Sequence, residues 1–186
     1  MTSRRLPGYD YRQPAGYFVT INSWKRQEFF STIENGKIVL TEFGEIIEKC
    51  WTSLPTHFVH INLGFYSIMP DHIHGIIIIN YMQIPVLGPS PIPDSNKVDN
   101  LVSAKHASHL PSGNGTSPGS LSAIIQAFKS TSSRLIHEKF RTKKRIWQPS
   151  FYDRVIRNEE ELRKITDYII SNPYEYHNHS NPIDFS

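Results

Sequence analysis

The segment from His72 to Ile79 is the strongest constraint on how this chain can fold. It contains two histidines two residues apart, then Gly75 and four consecutive isoleucines. A β-branched apolar run of this length is typical of a buried strand. Side chains alternate between the two faces of a strand, so we expect both imidazoles on the same face.

The pair His72 and His74 has two interpretations. Two imidazoles on one face can form half of a metal site, since each offers one nitrogen lone pair. Alternatively, both are structural histidines in the core or at a sheet edge, each with its own hydrogen-bond partner. The spacing alone does not decide between them.

Length and composition set broad limits on the protein class. The 186 residues suffice for one domain with a useful core, and we expect a single domain over 1–186. The sequence has no apolar run long enough to span a membrane, and its N-terminus lacks the apolar core of a signal peptide. The single cysteine, Cys50, cannot form an internal disulfide, which favours a reducing cytoplasm.

Apolar periodicity and turn signals predict alternating strands and helices. The predicted strands cover 17–22, 37–40 after the Asn35-Gly36 turn, 57–69, 72–80 and the end of the extended segment 146–157. The strands 57–69 and 72–80 are expected to form an antiparallel pair. Predicted helices are one capped by Thr41 and ended by Pro55, one capped at Gly119-Ser120, and one capped by Asn158 that ends at Asn172-Pro173.

Residues 81–118 differ in character from the rest of the chain. They are rich in Pro, Ser, Asn and Gly and show no sustained apolar period. Too few apolar side chains recur there to offset the entropy of ordering, which predicts a flexible inserted loop. A loop that becomes ordered on a ligand is the alternative.

Basic residues cluster between Lys129 and Arg145. This segment contains seven Lys or Arg and only one acidic residue, Glu138. Such a cluster can neutralise nucleic-acid phosphates, although a solvated helix face has the same composition. Basic residues of an irregular N-terminal arm could add contacts, and Trp147 is a candidate for stacking on unpaired bases unless it is a core residue. The predicted DNA-binding residues are Arg4, Arg5, Lys129, Arg134, Lys143, Lys144, Arg145 and Trp147.

Tyr168 and Asn172 lie four residues apart on the last predicted helix and therefore share a face. Each has an ordinary explanation, as an amphipathic packing residue and as a helix C-cap. Together with the histidine pair they suggest a specific site. Two imidazoles and one amide oxygen would hold a divalent ion with positions left open for a phosphate oxygen, and the phenol would be placed to attack that phosphate.

The chemistry is consistent with these residue types. Tyrosine is a poor nucleophile at neutral pH because its ordinary pKa is about 10. A metal that polarises the phosphate and stabilises the developing charge compensates for this. Imidazole, amide and water ligands suit Mg²⁺ or Mn²⁺, although Zn²⁺ could bind in vitro.

The sequence resembles the HUH single-strand endonucleases, whose signature is His-hydrophobic-His, as in His72-Ile73-His74. It resembles the REP-associated tyrosine transposases of the single-tyrosine branch in particular, over nearly the whole chain outside 81–118. The segments that carry the resemblance are Leu6–Tyr11, Tyr17–Ile21, Met69–Gly75, Phe128–Ser130, Trp147-Gln148 and Asp167–Pro173.

This resemblance implies roles for individual residues. Tyr168 matches the nucleophile, and His72 and His74 match the metal ligands. Asn172 stands where the family has its third ligand, which is often Gln in relatives. The implied fold is α+β, an antiparallel sheet with helices packed on it, ferredoxin-like or RRM-like.

The resemblance also implies a substrate and a reaction. The substrate is single-stranded bacterial DNA folded into short palindromic hairpins, which is cut to leave a 5′-phosphotyrosine and a free 3′-OH. The protein could be a monomer or a homodimer, with the tyrosine acting in its own subunit or across a dimer.

Three rival hypotheses remain at this stage. A histidine-triad nucleotide hydrolase would need a third alternating histidine, where this chain has Ile76. A non-catalytic single-stranded nucleic-acid-binding module on an RRM-like sheet would not need His72, His74 and Tyr168 together. An inactive transposase relative would not be expected to keep competent residues at every matching position.

Overall fold

The computed structural model describes residues 13–80 and 118–176. The strands are β1 Ala15–Asn22, β2 Ser31–Glu34, β3 Lys37–Leu40, β4 Ile61–Ile68, β5 His72–Ile79 and β6 Tyr152–Ile156. The helices are α1 Glu42–Thr52, α2 Leu54–His57, α3 Leu121–Phe140 and α4 Glu159–Glu175, with a single 3₁₀ turn at Trp24–Arg26.

Four of the strands form an antiparallel sheet in the order β4-β5-β1-β6, and β2 and β3 form a separate hairpin. The first and second sheet strands along the chain lie on either side of the third, which is the split β-α-β arrangement of ferredoxin-like folds. The predicted α+β class and the antiparallel pairing of β4 with β5 are therefore confirmed.

One face of the sheet carries the main core. Tyr17, Val19 and Ile21 of β1 and the odd-numbered isoleucines of β5 point to this face, where α1 and α3 cover them. Gly75 lets the buried ring of Trp51 on α1 approach the sheet, because a Cβ at this position would overlap that ring. The close contact fixes α1 against the middle of β5.

The opposite face is covered by α4. A smaller apolar cluster forms there from Phe18, Ile76, Ile165 and Ile169, with Tyr168 packed at its margin. Because side chains alternate, the even-numbered residues of β5 share this face, including both histidines. The two faces thus differ in chemistry, one mainly apolar and one with a polar end formed by the histidines.

The predicted helix caps are present. The side chains of Thr41, Ser120 and Asn158 accept hydrogen bonds from the backbone N–H groups of Gly44, Ala123 and Glu161, as is usual for N-caps. Two predicted ends are wrong, however. Pro55 is the second residue of the short helix α2, so the next strand starts at Ile61 rather than at residue 57, and α4 continues through Pro173 to Glu175.

The continuation of α4 has a tertiary cause. The ring of Tyr174 lies against Gly36 in the β2-β3 turn, where the backbone has φ +73° and a Cβ would lie 2.6 Å from the ring. The hydroxyl of Tyr176 donates to Glu28 at 3.0 Å. These contacts hold the last turn in place although Pro173 lacks a backbone donor.

Several predictions fall outside the described residues. These are the N-terminal arm and all of the predicted flexible loop 81–118 except Pro118. Within 13–80 and 118–176, no helix is long and apolar enough to cross a membrane.

Candidate active site

The two histidines of β5 meet at the polar end of the face covered by α4. His72 and His74 are both buried, each about 5% exposed. Their Nε2 atoms lie 2.9 Å apart, with the rings close to perpendicular. The strand alternation predicted from the sequence therefore brings both imidazoles to one point.

The other ring nitrogen of each histidine is also engaged. His72 Nδ1 donates to the carboxylate of Asp71 at 2.5 Å, and His74 Nδ1 lies 2.8 Å from the hydroxyl of Thr20, its partner across the β1-β5 pair. Ring orientation in metal-binding histidines is usually set in this way by the nitrogen that does not bind the ion. Both Nε2 atoms are consequently directed into the same space.

Asp71 is the centre of a buried polar network. Its second oxygen accepts from Arg26 Nε at 2.6 Å, and Arg26 Nη1 donates to Asn22 at 2.6 Å. Burial alone would raise the pKa of Asp71, but its hydrogen bond and electrostatic interaction with His72 and the charge of Arg26 outweigh it and lower the pKa. Asp71 is therefore a carboxylate at neutral pH.

Burial keeps both histidines neutral near pH 7. It lowers the pKa of His72, with the Asp71 carboxylate opposing the shift. It lowers the pKa of His74 well below the ordinary value, and the neighbouring His72 and Arg26 act in the same direction. Neutral imidazoles are the form that binds metal ions.

Tyr168 on α4 reaches this pair within the same chain. Its hydroxyl lies 3.1 Å from His74 Nε2, and its ring packs edge-on against His74 and Phe18. Burial raises the pKa of the phenol, whereas a hydrogen bond with Asn172 one turn further along the helix lowers it. The four residues singled out on the histidine strand and the last helix are thus brought together.

The donor set can be tested against a divalent ion. Two ligands about 2.1 Å from one ion and at right angles to each other are about 3.0 Å apart, and the observed Nε2 separation is 2.9 Å. In the described part of the chain, no three His, Cys, Asp or Glu side chains group closely enough to hold an ion. The residues present therefore fit a site with two imidazoles in which amide, phosphate or water oxygens complete the coordination.

Two of the predicted DNA-binding residues have other roles. Trp147 is only about 5% exposed, packs against Phe30 and Phe128, and donates from Nε1 to Ser132 at 2.9 Å. Its ring cannot stack on an unpaired base, so that prediction is corrected. The ammonium group of Lys129 donates to backbone carbonyls of residues 148–150, and burial lowers its pKa to about 8. This group holds the segment before β6 and is not free for a phosphate.

The other predicted DNA-binding residues lie in several separate places. Arg134, Arg141 and Lys143 line an open groove of about 650 Å³ at the C-terminal half of α3, which packs on the sheet face opposite α4. Arg134 pairs with Glu138 at 2.9 Å, and the guanidinium of Arg145 stacks 4.2 Å from the ring centre of Trp24. Lys144 is exposed, and Arg4 and Arg5 lie outside the described residues.

Sequence reasoning missed Thr20, Arg26 and Asp71 as parts of this site. Asp71 directly precedes His72, so its position beside the first imidazole was a readable signal. Thr20 could be found only from the register of β1 on β5. Arg26 reaches the site through a turn in which it and Lys25 both have φ of 57°. The sequence contains no signal that predicts this conformation.

Comparison with known proteins identifies the family of this chain. A family model described as "Transposase IS200 like" matches residues 115–172, which include Tyr168 and Asn172. An uncharacterized protein from Haemophilus influenzae is 32% identical over 174 residues, 92% of this chain and 87% of that protein. The solved structure of a REP-associated tyrosine transposase bound to a REP hairpin has a TM-score of 0.56 and 18% identity, covering 95% of this chain and 74% of that one, and is similar in fold. The chain belongs to the IS200-like transposase family, as the resemblance of its sequence to single-tyrosine transposases predicts.

Proposed function

We propose that this protein is a metal-dependent single-stranded DNA endonuclease and strand transferase that uses Tyr168 as its nucleophile. The observation that carries the proposal is the 3.1 Å distance between the Tyr168 hydroxyl and His74 Nε2 in one chain. A phenol beside paired neutral imidazoles suits phosphoryl transfer, because the nucleophile and the metal ligands serve the same phosphate.

His72, His74 and Asn172 are the residues that would hold Mg²⁺ or Mn²⁺. The bound ion would polarise the phosphate and stabilise the negative charge that develops during transfer. Asn172 is buried and hydrogen-bonds with Tyr168, so it also orients the nucleophile. Phe18 and His74 restrict rotation of the phenol ring, which reduces the entropy lost on reaction.

In the proposed reaction the Tyr168 oxygen forms a bond to phosphorus, and the bond from phosphorus to the 3′ oxygen of the preceding nucleotide breaks. The phenol loses its proton and the departing 3′ oxygen gains one, so cleavage conserves protons overall. The products are a 5′-phosphotyrosine and a free 3′-OH. Because the phenolate is a fair leaving group, a second 3′-OH can reverse the step and join strands.

The substrate is proposed to be single-stranded DNA that forms hairpins. A half-buried phenol on a helix that lies across a sheet reaches a flexible phosphate more readily than one within a duplex. The fold neighbour was solved with a REP hairpin, which supports this substrate class. Since Tyr168 meets the histidines of its own chain, a single subunit contains all the proposed catalytic residues.

The test is formation of a covalent adduct between the protein and labelled hairpin-containing single strands in Mg²⁺ or Mn²⁺. Wild type should form an adduct that resists denaturation, and Tyr168→Phe should form none. His72→Ala should abolish cleavage while retaining much of the DNA binding. Tyr174→Phe is the matched control, because this tyrosine lies on the same helix and is 64% exposed; it should cleave like wild type.

Two outcomes would count against the proposal. Cleavage by Tyr168→Phe at the wild-type rate would show that Tyr168 is not the nucleophile. Binding of varied hairpins by wild type without any cleavage would favour a non-catalytic binding module. Mixing Tyr168→Phe with His72→Ala tests whether one subunit suffices. Restored cleavage in the mixture would show that the tyrosine acts across a dimer.

A further inference from the structure

The carboxylate of Asp71 binds both a histidine of the site and a guanidinium. It is about 4% exposed, and its two oxygens accept from His72 Nδ1 at 2.5 Å and from Arg26 Nε at 2.6 Å. The hydroxyl of Tyr176 at the end of α4 also lies beside it, although its proton is donated to Glu28. Two donors, one from β5 and one from the turn after β1, therefore fix this carboxylate.

This arrangement fixes the ring of His72. Rotation of the imidazole about its Cβ–Cγ bond would break the hydrogen bond from Nδ1 to Asp71 and leave a buried carboxylate short of a donor, which is costly. With Nδ1 held, Nε2 is directed at the corresponding atom of His74, 2.9 Å away. The direction of His72 Nε2 is thus set by Asp71, which is not one of the two histidines.

Arg26 is itself held in a specific place. Lys25 and Arg26 both have φ of 57°, in the left-handed region that residues other than glycine seldom adopt. The turn nevertheless adopts this conformation. It places the guanidinium of Arg26 between Asp71 and Asn22, 2.6 Å from an oxygen of each. Uncommon backbone conformations persist where surrounding contacts require them, often at functional sites.

The second histidine lacks such support. His74 Nδ1 has the neutral hydroxyl of Thr20 as its partner, at 2.8 Å. Hydrogen bonds to an ionised group are stronger than those between neutral groups. The two imidazoles therefore differ in how firmly their rings are held, and His72 has the stronger anchor.

We propose that Asp71, held by Arg26, is a positioning residue that orients His72 toward the divalent ion. The proposal rests on the proposed function, since it presumes that the imidazole pair binds metal. Asp71 itself contacts neither the ion nor DNA in this role. Arg26 acts indirectly, because its guanidinium holds the Asp71 carboxylate against the imidazole ring of His72.

The experiment measures Mn²⁺ affinity of the DNA-free protein by the loss of the free-ion electron paramagnetic resonance signal. Outer partners of metal-binding histidines typically contribute about 10- to 100-fold in affinity. Asp71→Asn, which keeps shape but removes the charge, should raise the Kd for Mn²⁺ by that amount. Arg26→Gln should raise it by less, about tenfold at most, and is the second variant because Arg26 is half exposed and its side chain is not part of the apolar core.

Glu161→Gln is the matched control. Glu161 also accepts from an arginine, Arg154, at 2.5 Å, and caps the backbone N–H of Arg157, but neither partner is a histidine. The Glu161→Gln substitution should lower the urea midpoint because an ion pair is lost, and it should leave the Kd for Mn²⁺ unchanged. A purely structural role for Asp71 would give the same result as this control.

The outcomes separate the positioning role from the proposed function. Equal Mn²⁺ affinity of wild type and Asp71→Asn would overturn the positioning role alone. If wild type binds no Mn²⁺, the metal site and the positioning role are both refuted. A weakened Asp71→Asn in a protein that never forms a Tyr168 adduct would support the positioning role and refute the proposed nuclease.

Discussion

Replacement of Trp147 by phenylalanine separates a role in the core from a role in DNA binding. In the structure the indole ring lies between the rings of Phe30 and Phe128, with centroid distances of 4.8 and 5.3 Å. Its Nε1 donates to Ser132 at 2.9 Å in a buried environment. The substitution keeps an aromatic ring but removes this donor and part of the packing.

The expected loss can be estimated from these contacts. A buried neutral hydrogen bond contributes about 1 kcal/mol. Complete truncation of a buried tryptophan costs about 3–5 kcal/mol, of which phenylalanine retains more than half. We therefore expect Trp147→Phe to lower the free energy of unfolding by about 2–3 kcal/mol, a shift of about 1–1.5 M in the urea midpoint at a typical slope of about 2 kcal/mol per molar.

The assay combines urea unfolding with hairpin DNA binding under conditions in which the variant is folded. The midpoint should fall while the slope and the DNA affinity stay close to wild type. Ser132→Ala removes the acceptor without changing any aromatic ring, and it should also lower the midpoint without weakening DNA binding. A Trp147→Phe protein with wild-type stability and clearly weaker DNA binding would refute the core assignment and restore the base-stacking hypothesis.

Two further predictions concern β5. Because burial lowers the pKa values of His72 and His74 below the ordinary value of about 6.5, the unfolded chain takes up protons before the folded chain as pH falls. With a chelator present, the free energy of unfolding measured in urea should therefore decrease from pH 7 to pH 5. His74→Asn should make this decrease smaller. A wild-type free energy of unfolding that does not change between pH 7 and pH 5 would contradict the prediction. Gly75→Ala places a methyl group against the Trp51 ring and should cost about 1–3 kcal/mol by the same measurement, whereas unchanged stability would show that α1 can shift freely.

The parts of the site that follow from local periodicity could be predicted from the sequence. The two-residue repeat of a strand puts His72 and His74 on one face, and the helical repeat puts Tyr168 beside Asn172. Neither repeat depends on which elements pack together. For the same reason the caps at Thr41, Ser120 and Asn158 were readable in the sequence.

Features that depend on long-range packing could not be predicted in the same way. Trp147 and Lys129 have the composition expected of a DNA-binding surface, but one ring enters the core and one ammonium group binds neighbouring carbonyls. Exposure is a property of the assembled fold, so residue type alone could not separate these roles. The end of α4 was misjudged because tertiary contacts of Tyr174 and Tyr176 outweigh the local effect of Pro173.

The position of the phenol depends on apolar packing more than on polar contacts. Ile165 and Ile169 are one helical turn apart on α4 and bury against Phe18 and Ile76 of the sheet. Tyr168 directly precedes Ile169, so the depth at which these isoleucines pack sets how far its hydroxyl reaches toward His74. Burial of two such side chains is worth several times a single neutral hydrogen bond. The contact between Tyr168 and His74 is therefore a consequence of how α4 docks, and it can persist while the polar partners of the phenol change during a reaction.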